Sequence, residues 1–135
     1  MIQPLLMLLN QPGKLRVYKV VTLKYGSPTA GRYLSVVTYK PGAKVEVLNA
    51  NSDVDETCGA GVNVATLDWC IREYGLSRKE NQANHLIIEI ECTANDIACI
   101  PTASDGKFRL HRGRVRRVVP YEELGLGNEP IVGRI

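Results

Sequence analysis

Residues 107–117 hold the densest group of charged side chains, with six lysines and arginines and one histidine among eleven residues. Polar and apolar residues alternate over residues 107–111, so a strand would place the cations on one face and Phe108 and Leu110 beneath it. Clustered arginines bind phosphate or carboxylate groups bidentately, which predicts a surface for nucleic acid or an acidic partner. The alternative is a solvated sheet face or a charge-protected edge strand, with internal pairing to the acidic residues 53–56. The candidate residues are Lys107, Arg109, His111, Arg112, Arg114, Arg116 and Arg117.

A second group of candidate residues lies in the glycine-containing segment CGAGVNVAT, residues 58–66. Two glycines before a strand and a capped helix can bring backbone amides close to a ligand phosphate. The segment has neither the G-x-G-x-x-G spacing nor the Lys-Ser/Thr pair of a phosphate-binding loop, so a tight turn with close backbone packing is the alternative. The candidate ligand-binding residues are Gly59, Gly61, Asn63 and Thr66.

The sequence shows no G-x-S-x-G, H-E-x-x-H or Cys/His pair, and no two carboxylates at the spacing of a paired acid and base. The cysteines and histidines do not match metal-ligand spacings. We therefore expect no metal and no cofactor, and we favour a non-catalytic protein while leaving enzymatic activity open.

Turn residues divide the chain into short apolar segments, as in β-rich domains. The predicted strands span residues 15–23, 32–38, 44–48, 61–65, 85–91, 97–100 and 107–119, the last with a break at Gly113. One short helix is predicted at 67–74, because Thr66 is a good N-cap, apolar residues recur at i, i+3, i+4 and i+7, and Gly75 can end it. Lys19 and Ile87 interrupt the alternation of their strands. The predicted class is α+β, β-rich, with mixed or antiparallel sheets.

At 135 residues, with 44% hydrophobic and 23% charged residues, the chain has the size and composition of one globular domain. We expect an apolar arm or strand at 1–13 and an irregular tail at 122–135. The net charge of +3 is too small to indicate a nucleic-acid partner by itself. We read the four cysteines as reduced thiols, three of them packed as small apolar residues, which favours the cytoplasm. No segment has the length and apolar character of a membrane span.

The segment CGAGVNVATLDWC, residues 58–70, is similar to a signature found in an uncharacterised module of bacteriophage and prophage proteins, including part of the T-even rapid-lysis proteins. The similarity continues upstream in VYKV and YKPG and downstream in IEIE, DIACIP and GKFR, so it covers about residues 15 to 120. The resemblance implies a viral accessory protein located in the host cytoplasm.

More remotely, GVNVA at 61–65, followed by the helix, resembles the G-I-Y-F-A segment of ADP-ribosyltransferases. That resemblance implies two split sheets around an NAD cleft and a His-Tyr-Glu or Arg-Ser-Glu catalytic set. Here Asn63 stands at the position of the catalytic tyrosine, and Arg16 is the one candidate for the catalytic His or Arg of the first strand. Residues 107–119 hold no glutamate for the last position of the set. A shared fold would therefore not imply shared chemistry.

These observations lead to three hypotheses about function. The first is a non-catalytic binding module that acts through protein contacts, with a protein partner or a second copy of the chain. The second is an ADP-ribosyltransferase-like enzyme or a degenerate NAD or nucleotide binder. The third is nucleic-acid binding through the basic strand 107–117.

Overall fold

The computed structural model describes residues 13–28, 38–47, 61–101 and 105–126. Within these ranges the chain is β-rich and of the α+β class, as the sequence predicts. The predicted strand at 32–38 and the N-terminal arm lie almost wholly outside the described residues. The elements are β1 (Lys14–Thr22), β2 (Lys44–Glu46), β3 (Val62–Ala65), α1 (Leu67–Glu73), α2 (Lys79–Gln82), β4 (His85–Thr93), β5 (Ile97–Cys99), β6 (Lys107–Leu110) and β7 (Arg112–Val118), with 3-10 turns at Ala94–Asp96 and Tyr121–Leu124.

The seven strands form one antiparallel sheet in the order β2-β7-β4-β1-β3-β6-β5. β6 and β7 are four places apart in this order, yet only His111 separates them along the chain. In a flat sheet four strand spacings would span roughly 19 Å, whereas one intervening residue spans about 7 Å. The sheet must therefore curl until β6 and β7 meet at His111. Its two halves are joined in the middle by a single residue pair between β1 and β3, Tyr18 and Ala65.

The curled sheet has an apolar inner face and a second apolar cluster on its outer face. The inner cluster is formed by Leu15, Val17, Val21, Tyr39, Val45, Val62, Val64, Ile88, Ile90, Cys92, Phe108, Leu110 and Val115. The outer cluster lies where α1 packs on the sheet, and it is formed by Val20, Ala65, Cys70, Leu76, Ile87 and Val119. Ile87, which breaks the alternation of its strand, is fully buried in this outer cluster. The irregularity in the sequence therefore marks the place where the helix covers the sheet.

Helix α1 begins and ends as its sequence predicts. The Thr66 hydroxyl accepts a hydrogen bond from the Trp69 amide at 3.3 Å, which satisfies one of the open donors of the first turn. Gly75 has a φ of +58°, and the amides of Gly75 and Leu76 donate to the carbonyls of Arg72 and Ile71. This is the Schellman arrangement that ends a helix. A two-turn helix is unstable alone, so burial of Cys70 and its neighbours against the sheet stabilises it.

Helix α2 is not predicted from the sequence. It is a single turn with no side-chain cap and no buried residue. Its position is fixed by side-chain amides: Asn81 donates to the Gly75 carbonyl at 2.9 Å, and Gln82 donates to the carbonyls of Leu76 and Leu126 at 2.8 and 2.7 Å. Such contacts leave no periodic apolar pattern, which explains why residues 79–82 look like a polar loop in the sequence.

The break in the basic strand falls at His111 and not at Gly113, where the sequence predicts it. Gly113 remains within β7, paired with Val45. A Cβ atom on Gly113 would lie 2.7 Å from the Ile90 side chain, so this glycine permits close packing against β4. His111 is the residue that connects β6 to β7. Its amide donates to the Asp96 carbonyl at 2.7 Å, and its carbonyl accepts from the Val47 amide at 2.9 Å.

A β-bulge in β7 determines which face its arginines occupy. Glu89 and Ile90 are consecutive on β4, but they pair with Arg117 and Val115, so Arg116 is the additional residue. A bulge places two consecutive side chains outside the regular alternation. Val115 and Val118 can therefore both face the inner core while Arg116 and Arg117 are both exposed.

Deleting Arg116 should leave the fold intact. The shortened segment Val115-Arg117-Val118 would pair with Ile90, Glu89 and Ile88 in regular alternation. We therefore expect a loss of about 1 kcal/mol in unfolding free energy, chiefly from the ion pairs of the half-exposed Arg116 side chain. Deleting Arg114 instead would shift one part of β7 by one residue and turn its side chains to the opposite faces. Chemical denaturation of the two deletion variants measures the difference. Equal losses would contradict the assignment of Arg116 as the bulge residue.

Candidate functional site

The structure brings the two candidate groups of the sequence together. β3 pairs with β6 so that Asn63 lies opposite Arg109 and Ala65 lies opposite Lys107. The Thr66 amide donates to the Gly106 carbonyl at 2.9 Å, next to Lys107. Gly61 directly precedes β3 and has a φ of +148°. Gly59 lies outside the described residues. The glycine segment and the first half of the basic strand are therefore one surface, although 40 residues separate them in the chain.

Burial limits what this surface can do. The Arg109 side chain has no exposed area, and Phe108 and Leu110 beside it face the inner core, as the alternation predicts. The Asn63 side chain donates to the Gly61 carbonyl at 3.3 Å, while the Thr66 hydroxyl caps α1. A fully buried guanidinium reaches a ligand only if the residues that cover it move. These contacts give the predicted ligand-binding residues evident structural roles.

Lys19 is a buried amine that the sequence analysis does not place in the site. It is 8% exposed and lies on β1 between the inward residues Val17 and Val21. Its Nζ donates to the Asn63 carbonyl at 2.8 Å and lies 5.0 Å from the centre of the Tyr39 ring. Burial lowers the pKa of Lys19 to about 8. The interruption of an apolar face by Lys19 is the sequence signal that could have identified it.

The outer side of β1, β4, β7 and β2 carries the second half of the basic strand, and we call it the charged face. Glu89 and Glu91 on β4 lie at its centre, with side chains only 11% and 12% exposed. Arg16 on β1 and Arg116 on β7 approach them from the two sides. Each of these arginines contacts Oε2 of Glu91 through Nη1, and each places Nε 3.8 Å from Oε1 of Glu89. The residues of the charged face are Lys14, Arg16, Lys44, Glu46, Glu89, Glu91, Asp96, Arg112, Arg114, Arg116, Arg117 and Glu123.

The electrostatics of the charged face lower the pKa values of two of its carboxylates, Glu91 and Glu123. Hydrogen bonds from Arg16, Lys14 and Arg116 lower the pKa of Glu91 to about 2. Arg117 donates through both Nη atoms to Glu123 at 2.9 and 3.0 Å, and this pairing lowers the pKa of the Glu123 carboxyl. Carboxylates held in this way do not exchange protons near neutral pH, so they act as anchors for the arginines and are unsuited to general acid–base catalysis.

Other cations of the predicted basic set also have partners within the fold. Arg112 donates to Glu46 at 3.2 Å and to Asp96 at 3.3 Å. Arg114 donates to the Gly42 carbonyl at 3.1 Å. The basic strand is thus divided: Arg109 is buried beside Asn63, and the arginines of β7 belong to the charged face. These arginines pair within the fold, and the acids that the described residues supply are Glu46, Glu89, Glu91, Asp96 and Glu123. Residues 53–56, which the sequence offers as internal partners, lie outside the described residues.

A row of aromatic side chains meets the charged face at the 3-10 turn Tyr121–Leu124, which also carries Glu123. The Trp69 and Tyr74 rings meet edge to face at 6.3 Å, and the Tyr74 and His85 rings lie 5.4 Å apart. The Tyr121 hydroxyl donates to the His85 carbonyl. Tyr121 lies two residues before Glu123 in the chain. Trp69, Tyr74 and Tyr121 are only partly buried. The row therefore runs from α1 to the 3-10 turn that supplies Glu123 to the charged face.

Cys70, Cys92 and Cys99 are buried free thiols, as predicted, and Cys58 lies outside the described residues. Across the described ranges, no three His, Cys, Asp or Glu side chains are grouped so that they could hold a metal ion. In the same ranges, neither helix is long and apolar enough to cross a membrane.

Comparison with known proteins supplies no relative from which a function could be carried over. No family model matches the chain, and neither the curated proteins nor the solved structures contain a match. The phage and ADP-ribosyltransferase resemblances therefore rest on the sequence motifs alone.

Proposed function

We propose that this protein is a binding module that docks onto another protein through the charged face and the adjoining aromatic row. One observation carries the proposal: partly exposed arginines are held in place from below by glutamates that are almost completely buried. Arg16, Arg116 and Arg117 keep 42%, 45% and 44% of their side-chain area exposed. Because their guanidinium groups are already fixed, binding would cost little side-chain entropy.

The residue types of this surface are those that dominate protein interfaces. Arginine, tyrosine and tryptophan are enriched at interface centres and supply most of the binding energy. The charged face supplies the arginines, and the aromatic row supplies Trp69, Tyr74 and Tyr121. The phage-type accessory role and the host cytoplasm form part of the proposal on the strength of the sequence motifs in residues 58–70.

The internal ion pairs favour a protein partner over nucleic acid. Binding to a phosphate backbone draws its affinity from cations that neutralise phosphates and release counterions. Here Arg112, Arg116 and Arg117 already neutralise carboxylates of the same chain. A phosphate chain would have to displace those carboxylates, whereas a protein surface can use the remaining donors and the aromatic rings together.

Site-specific photocrosslinking tests the docking surface. Lys14 and Lys24 lie near opposite ends of β1 and are both exposed, but only Lys14 belongs to the charged face. A photoreactive residue at Lys14 should give one defined crosslinked product in the native cell, whereas the same residue at Lys24 should not. Arg116→Glu should abolish the product, and a mass of twice the chain would identify a second copy as the partner. Crosslinking that is equal at both positions, or absent at Lys14, would contradict the proposal.

Nucleotide binding is the second candidate, because the structure unites Asn63, Arg109 and Lys107 on adjacent strands. Hydrogen-bond donors grouped in this way suit a phosphate, provided that the cover over Arg109 opens. Thermal denaturation with NAD tests it: at 100 times Kd a ligand adds about 2.7 kcal/mol of stability. We expect no stabilisation. A shift that is lost in Lys107→Gln would favour this candidate.

A further inference from the structure

Two cations of the charged face lie directly opposite one another at the edge of the sheet. Lys44 on β2 pairs in register with Arg114 on β7. The Cβ atoms of residues at such positions lie about 5 Å apart, and like charges placed there destabilise the sheet. The neighbouring pairs on the same face are complementary: Glu46 opposes Arg112, and Glu89 opposes Arg117. The Lys44–Arg114 pair is an exception to the charge pattern of this face.

The fold does not supply a carboxylate to this pair from the described residues. Glu91 is opposite Arg114 on its other side, but its carboxylate is bonded to Lys14, Arg16 and Arg116. Arg114 uses Nη1 to hold the Gly42 carbonyl. Both Lys44 and Arg114 are exposed. In addition, the charged face contains seven cationic side chains and only five carboxylates. Two of those carboxylates, Glu89 and Glu91, are almost completely buried beneath the arginines that they bind.

We infer that the partner is an acidic polypeptide segment, one carboxylate of which sits between Lys44 and Arg114. This inference rests on the proposed docking function and adds the chemistry of the partner. A single carboxylate placed between these two cations would replace their repulsion with two attractive contacts. A nucleic acid requires a row of available cations along its backbone, whereas this face offers one such pair, flanked by arginines already engaged with carboxylates. The acidic peptide is therefore the better fit.

A binding assay with matched charge reversals tests the inference. The probes are a fluorescein-labelled decapeptide of alternating glutamate and glycine, and a labelled single-stranded 20-nucleotide DNA. We expect the wild type to bind the peptide more tightly than the DNA. Lys44→Glu should weaken peptide binding at least tenfold. Lys24→Glu makes the same charge change away from the face and should alter the affinity less than twofold.

Stability separates lost recognition from lost folding. Because Lys44→Glu places a carboxylate opposite Arg114, the variant should melt at the same temperature as the wild type or higher while binding the peptide less well. Tighter binding of the DNA, equal losses in the two variants, or no peptide binding would each overturn the inference. If the Lys14 crosslink persists in that case, only the acidic character of the partner is refuted. If the crosslink is also absent, the docking surface itself is refuted.

Discussion

Replacing Gly106 with alanine should lower the free energy of unfolding by about 3 kcal/mol, through overpacking and backbone strain together. The φ angle of Gly106 is +152°, which side chains rarely adopt, and an added Cβ would lie 2.8 Å from both the Thr66 hydroxyl and the Trp69 Cβ. Thr66 caps helix α1, so the clash acts on the contact that begins the helix. Chemical denaturation measures the loss.

Gly42→Ala is the matched control for Gly106→Ala. Gly42 also has a positive φ, +88°, but nothing lies within 4 Å of a Cβ built there. Its replacement should therefore cost only the backbone strain, about 1 kcal/mol. If both variants lose the same stability, the close contact between Gly106 and the helix start is not a determinant of the fold.

Replacing Lys19 with methionine should change how stability depends on pH. In the folded protein burial lowers the pKa of Lys19 from 10.5 to about 8. The unfolded chain therefore binds more protons between pH 8 and 10.5, and the contribution of Lys19 to stability rises with pH in that window. From pH 7 to pH 10.5 the wild type should gain on the order of 3 kcal/mol relative to Lys19→Met.

The comparison between the two proteins removes the effects of buried groups that do not interact with Lys19. Burial raises the pKa values of Tyr39 and Cys70 to about 12, so their contributions fall as pH rises above their ordinary values. Tyr39 is present in both proteins, and its effect cancels in the difference. The ammonium of Lys19 lowers the pKa of the Cys70 thiol, so the difference curve also contains the coupling between these two groups. Denaturation at half-unit pH steps gives the difference curve. A curve that is flat from pH 7 to pH 10.5 would mean that Lys19 is not a buried ammonium. A Lys24→Met control, which removes an exposed lysine, should follow the wild type.

The elements that local chemistry specifies are predicted well from the sequence. Helix α1 follows from Thr66, the apolar stripe and Gly75, all within ten residues of one another. The strands β1 and β4 follow from alternation, and their exceptions are informative. Ile87 breaks the pattern because a helix covers the outer face there, and Lys19 breaks it because its amine reaches the Asn63 carbonyl.

The features that the sequence does not reveal depend on contacts between distant segments. Gly113 looks like a strand break, but it is a point of close approach to Ile90 on β4. The spacing of Val115 and Val118, two apolar residues three positions apart, is the one local sign of the bulge. It could not be interpreted until β4 was known to be the neighbour. The curl at His111 likewise arises from the pairing of β6 and β7 with different strands.

The sequence predicts which residue types form the candidate site, but it does not predict how the fold arranges them. The basic strand suggests one continuous cationic surface, since six cations lie within eleven residues. Folding divides it, because Arg109 turns into a buried position opposite Asn63 while Arg116 and Arg117 meet glutamates on β4. The acids that pair with these arginines include Glu89 and Glu91, which alternation places outward without indicating their partners.

The most direct test of the docking surface is an NMR titration that follows the Nε–H resonances of the arginine side chains as the acidic decapeptide is added. We expect the Arg114 and Arg112 resonances to shift first, those of Arg16 and Arg116 to shift less, and that of Arg109 to remain unchanged. Shifts confined to Arg109, with Arg114 unaffected, would place binding at the surface formed by β3 and β6 and would contradict docking through the charged face.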